Sequence, residues 1–319
     1  MKPSPTRSDM SASNTRSTTT TSITPTESID AAAPAALAGS IASPPRRLCF
    51  VGGGNMASAL IGGLMRAGST VQIAGVVETL AEQRARLTER FNVPTYASLA
   101  AAATAQALEV DAIVLAVKPQ QLQPVARELG PHATQCAVIS LAAGIRATDI
   151  ARWLGGHQRI IRAMPNTPAL VGAGITGLFA LPQTPKDDRT LADELMSAAG
   201  TTLWVSSEPL IDAVTAMSGS GPAYVFHWME AMQAAGIELG LSPAAAHALT
   251  MATFDGATRL AMESEEPPAR LRERVTSPGG TTAAALAAMA EAHVESGIKA
   301  GIHAACQRGA ALGDELGQG

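Results

Sequence analysis

A short apolar run, Arg47-Leu-Cys-Phe-Val51, opens directly onto Gly52-Gly-Gly54-Asn-Met-Ala57 and then onto Ser58-Ala-Leu-Ile-Gly-Gly-Leu-Met-Arg66, a helical run stopped at Gly68. Few folds accept this order. The G-x-G-x-x-A pattern needs a strand that ends in a sharp turn and a helix that starts at once. Gly52 makes the turn, Gly54 lets a pyrophosphate come against the backbone, and the small Ala57 lets helix and strand pack closely. Asn55 and Met56 lie between, where the helix begins. A second apolar run, Val71-Gln-Ile-Ala-Gly-Val-Val77, ends in Glu78, at the distance expected of an acid that accepts hydrogen bonds from an adenosine ribose. Such an acid favours NADH, because a 2′-phosphate would meet its charge. Arg84 and Arg86 on the following helix stand either as phosphate ligands or as a solvated face, so NADPH and NADH are both kept as the cofactor.

The alternation continues. Val110-Asp-Ala-Ile-Val-Leu-Ala-Val117 and Cys136-Ala-Val-Ile-Ser-Leu-Ala-Ala-Gly144 are apolar runs of the buried-strand kind, with helical stretches between them. Strands alternating with helices predict a parallel sheet covered on both faces, with ligands beyond the carboxyl ends of the strands. Ala116, Val117, Lys118 and Pro119 fall there, as does Ala142 in the stretch 141–144. Lys118 either faces the cofactor or is solvated. Arg162-Ala-Met-Pro-Asn-Thr-Pro168 places Asn166 in a loop stiffened by two prolines, a fit place for a polar ligand contact.

From about Glu208 the period becomes helical. Met217-Ser-Gly-Ser-Gly-Pro222 is predicted as a flexible loop, followed by helices from 223, from 243 to about 263, and from about 292. Several carry apolar residues around most of their circumference, which suits burial against a second copy. Between them stands Val275-Thr-Ser-Pro-Gly-Gly-Thr-Thr282. Pro278 ends what precedes it, Gly279 and Gly280 turn the chain, and a threonine-capped helix begins. A glycine turn feeding a helix start exposes unpaired N–H groups at the positive end of the dipole, which suits an anion.

At 319 residues with 46% hydrophobic side chains, the chain can build two cores. A net charge of −4 with no basic stripe argues against nucleic acid. Cys49, Cys136 and Cys306 have neither disulfide nor metal spacing, no metal is expected, and a reducing, cytoplasmic setting fits. No apolar run reaches the length of a membrane span. Residues 1–45, rich in Ser, Thr, Pro and Ala, read as a disordered low-complexity tail. The expected organisation is therefore α/β: this tail, a Rossmann-type doubly wound parallel sheet at 46–207, and an all-α dimerisation and substrate-binding domain at 208–319.

Taken in order, Gly-Gly-Gly-Asn-Met-Ala (52–57), Ala-Val-Lys-Pro (116–119), Arg-Ala-Met-Pro-Asn-Thr-Pro (162–168), Ser-Gly-Ser-Gly-Pro-Ala (218–223) and Val-Thr-Ser-Pro-Gly-Gly-Thr-Thr (275–282) closely resemble the pyrroline-5-carboxylate reductase family. The resemblance runs from about residue 47 to the end, and the last motif is its most specific part. It implies hydride transfer from NADPH or NADH to the C=N carbon of 1-pyrroline-5-carboxylate, giving L-proline. It also implies a homodimer interlocked through the helical domain, further assembly frequently into decamers, and an active site between the domains of two subunits. Thr282 matches the threonine whose hydroxyl meets the substrate nitrogen, and is the catalytic candidate. Gly280 and Thr281 match the backbone that holds the carboxylate, Ser277 belongs to the same substrate loop, and Glu265 matches a residue near the bound product in some members.

Two rival readings stand beside this one. A reductase of another cyclic imine or of a hydroxy acid would share the architecture. A hydroxy-acid enzyme usually places a lysine or histidine acid-base in the helical half, and Lys299 and His303 are the nearby candidates. A non-catalytic dinucleotide-binding regulatory protein would share the fold but have no use for a Pro-Gly-Gly-Thr-Thr turn.

Overall fold

The computed structural model describes residues 44–318. The tail expected at 1–45 therefore lies outside the described residues, apart from 44 and 45. The first half forms one eight-stranded sheet in the order β3-β2-β1-β4-β5-β6-β7-β8. Its strands are β1 (Arg47–Val51), β2 (Gln72–Val77), β3 (Thr95–Tyr96), β4 (Ala112–Leu115), β5 (Ala137–Ser140), β6 (Ile160–Met164), β7 (Gly174–Ala180) and β8 (Gly200–Trp204). Helices α1 (Asn55–Arg66), α2 (Ala81–Phe91), α3 (Leu99–Thr104), α4 (Pro119–Leu129), α5 (Ala147–Trp153) and α6 (Lys186–Ser197) connect them. Two cores follow from the strand alternation. Leu48 and Phe50 point into one with α1 and α6, while Cys49 and Val51 point into the other with α4 and α5.

The sheet departs from the parallel expectation at one place, where β7 runs antiparallel to β6. Residues 165–173 alone join the two strands, and a parallel neighbour needs a crossover of about a dozen residues or more. Pro165 and Pro168 fold that link into a tight turn instead. β8 returns to parallel pairing with β7 because α6 supplies a crossover.

The chain then enters α7 (Leu210–Val214), a π turn at Thr215–Gly219, α8 (Gly221–Glu238), α9 (Pro243–Glu263), α10 (Pro268–Arg274), α11 (Thr281–Glu291) and α12 (Val294–Leu316). The loop predicted at 217–222 is thus helical in most of its length. Serine and glycine read as loop formers in sequence, but here tertiary contacts decide. The Thr215 and Ser218 hydroxyls donate back to the Ile211 and Val214 carbonyls, at 2.7 and 3.0 Å. Gly219 packs on Met164, whose Cε would lie 2.5 Å from any Cβ there.

Helices α8, α10 and α11 bury no residue within the single chain. Phe226, Leu239, Met262 and Val275 are all exposed. Exposed apolar surface on that scale marks a surface made to be covered.

One half-buried histidine makes stability depend on pH. His157 Nε2 is buried without a hydrogen-bond partner, and burial lowers the pKa of the ring below its ordinary 6.5. The native state therefore refuses a proton that the unfolded chain accepts. Stability is fully present above 6.5 and falls as pH drops toward the lowered folded value. Thermal melts between about pH 7.5 and 5.5 are expected to show the midpoint falling on acidification, with a slope of at most about one proton. His157→Gln should flatten that slope; an unchanged slope would clear His157 of the effect.

Candidate active site

The strand register sets a single edge. β1, β2, β4, β5 and β6 are parallel, so Gly52, Glu78, Ala116, Leu141 and Asn166 all follow carboxyl ends on the same side. A cleft of about 680 Å³ opens there, lined by Gly52, Gly54, Glu78, Ala116, Val117 and Lys118 among others. Six of the expected cofactor residues therefore meet in one place.

Gly52 has φ +102, and a Cβ on it would lie 2.7 Å from the Ala116 carbonyl carbon and oxygen, so only glycine fits. Gly54 is different: no protein atom lies within 4 Å of where its Cβ would be, and the residue is exposed. It caps α1 without any side-chain hydrogen bond, which leaves first-turn N–H groups pointing into the open. Helix α1 starts at Asn55, three residues before the apolar run suggests, so Asn55 and Met56 belong to that first turn. Ala57 is fully buried and packs the helix onto the sheet. An open backbone cradle at an uncapped helix start fits a dinucleotide pyrophosphate.

Glu78 is held rather than free. Its Oε2 accepts from Gly53 N at 3.0 Å and its Oε1 from Leu80 N at 2.8 Å. The carboxylate thus braces the glycine turn while facing the cleft. Arg84 Nη1 donates to the Glu78 and Thr79 carbonyls, both at 2.8 Å, which places a guanidinium at the same end. Arg86 pairs with Glu82 on an exposed face. Pro119 is the first residue of α4, with exposed Lys118 as its cap.

Of the expected cofactor residues outside the cleft lining, Asn55, Met56, Ala57 and Pro119 adjoin it in sequence at the starts of α1 and α4, while Ala142 and Asn166 follow other strands. Ala142 is buried beside Ser140, one strand further along the edge, where the Leu141 N–H donates to Leu115 at 2.9 Å. Asn166 is buried, and its Oδ1 accepts from Ile175 N at 3.0 Å. That side-chain carbonyl pins the start of β7. Thr79, Leu80, Ser98 and Gln121 line the cleft without having been singled out from sequence. They follow the ends of β2, β3 and β4, but β3 has two residues and leaves no periodic signal.

The substrate candidates lie in the helical half. Pro278 and Gly279 form the centre of a turn closed by Gly280 N donating to Ser277 O at 3.0 Å, with Gly279 at φ +73. Proline followed by a positive-φ glycine is the signature of a type II turn. Gly280, and not a threonine, caps α11; Thr281 and Thr282 occupy its first two positions. No side chain caps the helix, so the anion-binding character rests on bare N–H groups beside the threonine hydroxyls. Glu265 is exposed between α9 and α10. Within the single chain, none of Glu265, Ser277, Gly280, Thr281 or Thr282 lines the cofactor cleft. Lys299, the acid-base of the hydroxy-acid reading, pairs with Glu295 on an exposed face, and His303 is exposed on the same helix. Among the described residues, no cluster of His, Cys, Asp and Glu is placed to hold a metal, and no helix is long and apolar enough to cross a membrane.

Comparison with known proteins finds two family matches. Residues 208–312 match the family described as pyrroline-5-carboxylate reductase dimerisation, and residues 47–144 match the NADP oxidoreductase coenzyme F420-dependent family. A pyrroline-5-carboxylate reductase of Pseudomonas aeruginosa is 43% identical over 273 residues, covering 85% of this chain and 98% of that protein. One from Haemophilus influenzae is 39% identical, covering 77% of this chain and 90% of the relative. The solved structure of a pyrroline-5-carboxylate reductase from Coxiella burnetii superposes with a TM-score of 0.76 at 40% identity, over 84% of this chain and 98% of that one. A Plasmodium falciparum pyrroline carboxylate reductase, solved with NADP bound, superposes at 0.75 with 26% identity, over 85% and 99%.

Proposed function

The chain belongs to the pyrroline-5-carboxylate reductase family, and on that premise we propose how its residues reduce 1-pyrroline-5-carboxylate to L-proline. The observation that carries the reading is the uncapped start of α11 at Gly280–Thr282, inside the matched dimerisation segment. NADPH or NADH, when bound, supplies the hydride. Gly54, Asn55 and Met56 would hold its pyrophosphate by backbone N–H groups, Gly52, whose own N–H donates to the Val77 carbonyl at 2.8 Å, would make the turn beneath it, and Glu78 with Arg84 would face the adenosine ribose. Val117, Lys118 and Pro119 would line the path toward Ala142. The backbone at Gly280–Thr281 would anchor the substrate carboxylate through the free Thr281 N–H, with Gly280, whose N–H closes the turn onto Ser277, leaving room for the approach, and Ser277 and Glu265 would stand beside it.

The C=N carbon gains a hydride, so the nitrogen must gain a proton. The Thr282 hydroxyl donates a hydrogen bond to that nitrogen and relays the proton from water. No histidine or lysine stands in the motif to act as a stronger acid. Because the substrate loop is away from the cleft in one chain, the site is completed by a second copy. The exposed apolar faces of α8–α11 provide the contact, and dimers of this kind suit further closure into a decamer. The enzyme works in the cytoplasm, where its three free cysteines stay reduced.

Steady-state turnover of 1-pyrroline-5-carboxylate with NADH and NADPH side by side tests the reading, and turnover with both is expected. Glu78→Gln removes the charge opposed to a 2′-phosphate and should shift the kcat/KM ratio toward NADPH by about tenfold, the equivalent of roughly 1.4 kcal/mol. No turnover with either dinucleotide, while nucleotide still binds, would remove the proline assignment.

A further inference from the structure

The motif Arg162–Pro168 contains an arginine that the chemistry above does not use. Arg162 is the largest fully buried side chain, only 2% exposed, in the middle of β6. Its Nη1 donates to Glu208 Oε1 at 3.0 Å. The same oxygen accepts from Ala147 N at 2.6 Å, at the start of α5. Beside it, Arg146 Nη1 donates to Asp212 Oδ2 at 2.9 Å. Residues 141–147 form the loop that leaves β5 on the cofactor edge. Glu208 and Asp212 lie in the segment that begins the dimerisation match. Helix α12 presses on the same loop: a Cβ on Gly313 would lie 2.4 Å from the Gly144 carbonyl oxygen. One short loop is thus gripped by two carboxylates and one glycine of the helical half, with a buried arginine fixing the first carboxylate.

We infer that Arg162 and Glu208 are positioning residues for hydride transfer, setting the 141–147 loop relative to the helices that carry the substrate turn. This rests on the reading of the site as a reductase. In the proposed site the two reactants are held by different parts: the dinucleotide by this chain's sheet edge, the imine by α11 of the second copy, which docks on this chain's helical half. Their separation is then only as definite as the joint between those parts. A misplacement of about 1 Å can cost roughly 10²-fold in rate without removing any ligand contact.

Four variants separate positioning from mere support. Glu208→Ala leaves the Arg162 guanidinium and the Ala147 N–H without their acceptor. It should lower kcat on the order of 10²-fold, with the Kd for NADH within about threefold of wild type. In the absence of cofactor and substrate, amide exchange across 141–150 should become faster in this variant. Glu208→Gln keeps the acceptor oxygen and should recover kcat to within about fivefold, with slow exchange restored. Arg162→Met should resemble Glu208→Ala. The double variant Arg162→Met, Glu208→Leu removes both buried charges, a change that often leaves stability intact. Its thermal midpoint should be near wild type while kcat stays low. Wild-type kcat in the double variant would overturn the proposal, as would unchanged exchange and unchanged kcat in Glu208→Ala. If Glu208→Ala does not fold, the glutamine and double variants decide alone. Absence of imine turnover in the wild-type protein would count against the reductase reading instead, while the exchange experiment still tests the grip on the loop.

Discussion

Thr282→Ala is expected to lower kcat for 1-pyrroline-5-carboxylate on the order of 10²–10³-fold, the loss typical of removing one donor aimed at developing charge. The dinucleotide affinity should stay within about twofold, because Thr282 lies on α11 and does not line the cofactor cleft. The reason is the second helical position. There the hydroxyl stands next to bare N–H groups suited to an anion, so in the proposed site one substrate would be gripped at both its anionic end and its nitrogen. Thr282→Ser, which keeps the donor, should retain most of the turnover. The fold should not suffer in either variant, since α11 buries nothing in the single chain and threonine is not its cap. Steady-state rates beside a nucleotide titration are the measurement. Near-normal turnover in Thr282→Ala would take this residue out of the chemistry.

Gly52→Ala should weaken both stability and nucleotide binding. An L-residue held at positive φ costs about 1–2 kcal/mol, and forcing a methyl group into backbone adds about 1–3 kcal/mol. Here the methyl would stand 2.7 Å from the Ala116 carbonyl group and 2.9 Å from Val117 N, so the ends of β1 and β4 must part. At about 2–4 °C per kcal/mol for a protein of this size, the melting midpoint should fall by several degrees. Nucleotide Kd should rise at least about tenfold, since displaced N–H groups no longer converge. Gly54→Ala is the informative contrast. It meets no protein atom within 4 Å, so its midpoint should hold while its Kd still rises. A Gly54→Ala protein that binds nucleotide normally would mean the phosphates lie elsewhere.

Much of the first half was legible because local signals and tertiary needs agree. The run Arg47–Val51 is a strand with the bounds its apolar residues suggest, and the glycines after it turn where strand and helix must meet. The sheet order places Glu78, Ala116 and Leu141 on one edge, as alternation of strand and helix requires. What escaped was decided by distant contacts. β3 is too short for any period, so Ser98 went unnoticed beside the cleft. Asn166 has the residue type of a ligand contact, yet its oxygen serves Ile175 across the turn. Arg162 carried no mark of burial, because charge usually means surface and only Glu208 in space explains it. Threonine after glycine suggests a cap, but the extended glycine itself takes that place.

The π turn at Thr215–Gly219 gives the helical half a fixed phase. Ser220 N reaches back five residues to Thr215 O at 2.8 Å, one residue further than an α-helix allows. That extra residue retards the screw by about 100° relative to an unbroken helix. All of α8 inherits the offset, and with it Tyr224 and Trp228 come to line one cavity with Gly297 and Gly301 of α12. A chain-length change of one residue here would not be absorbed as it would in a surface loop. It would swing the whole azimuth of α8 and carry its uncovered apolar side chains around with it, so in the proposed dimer this segment's length would be bound to the angle at which two copies meet.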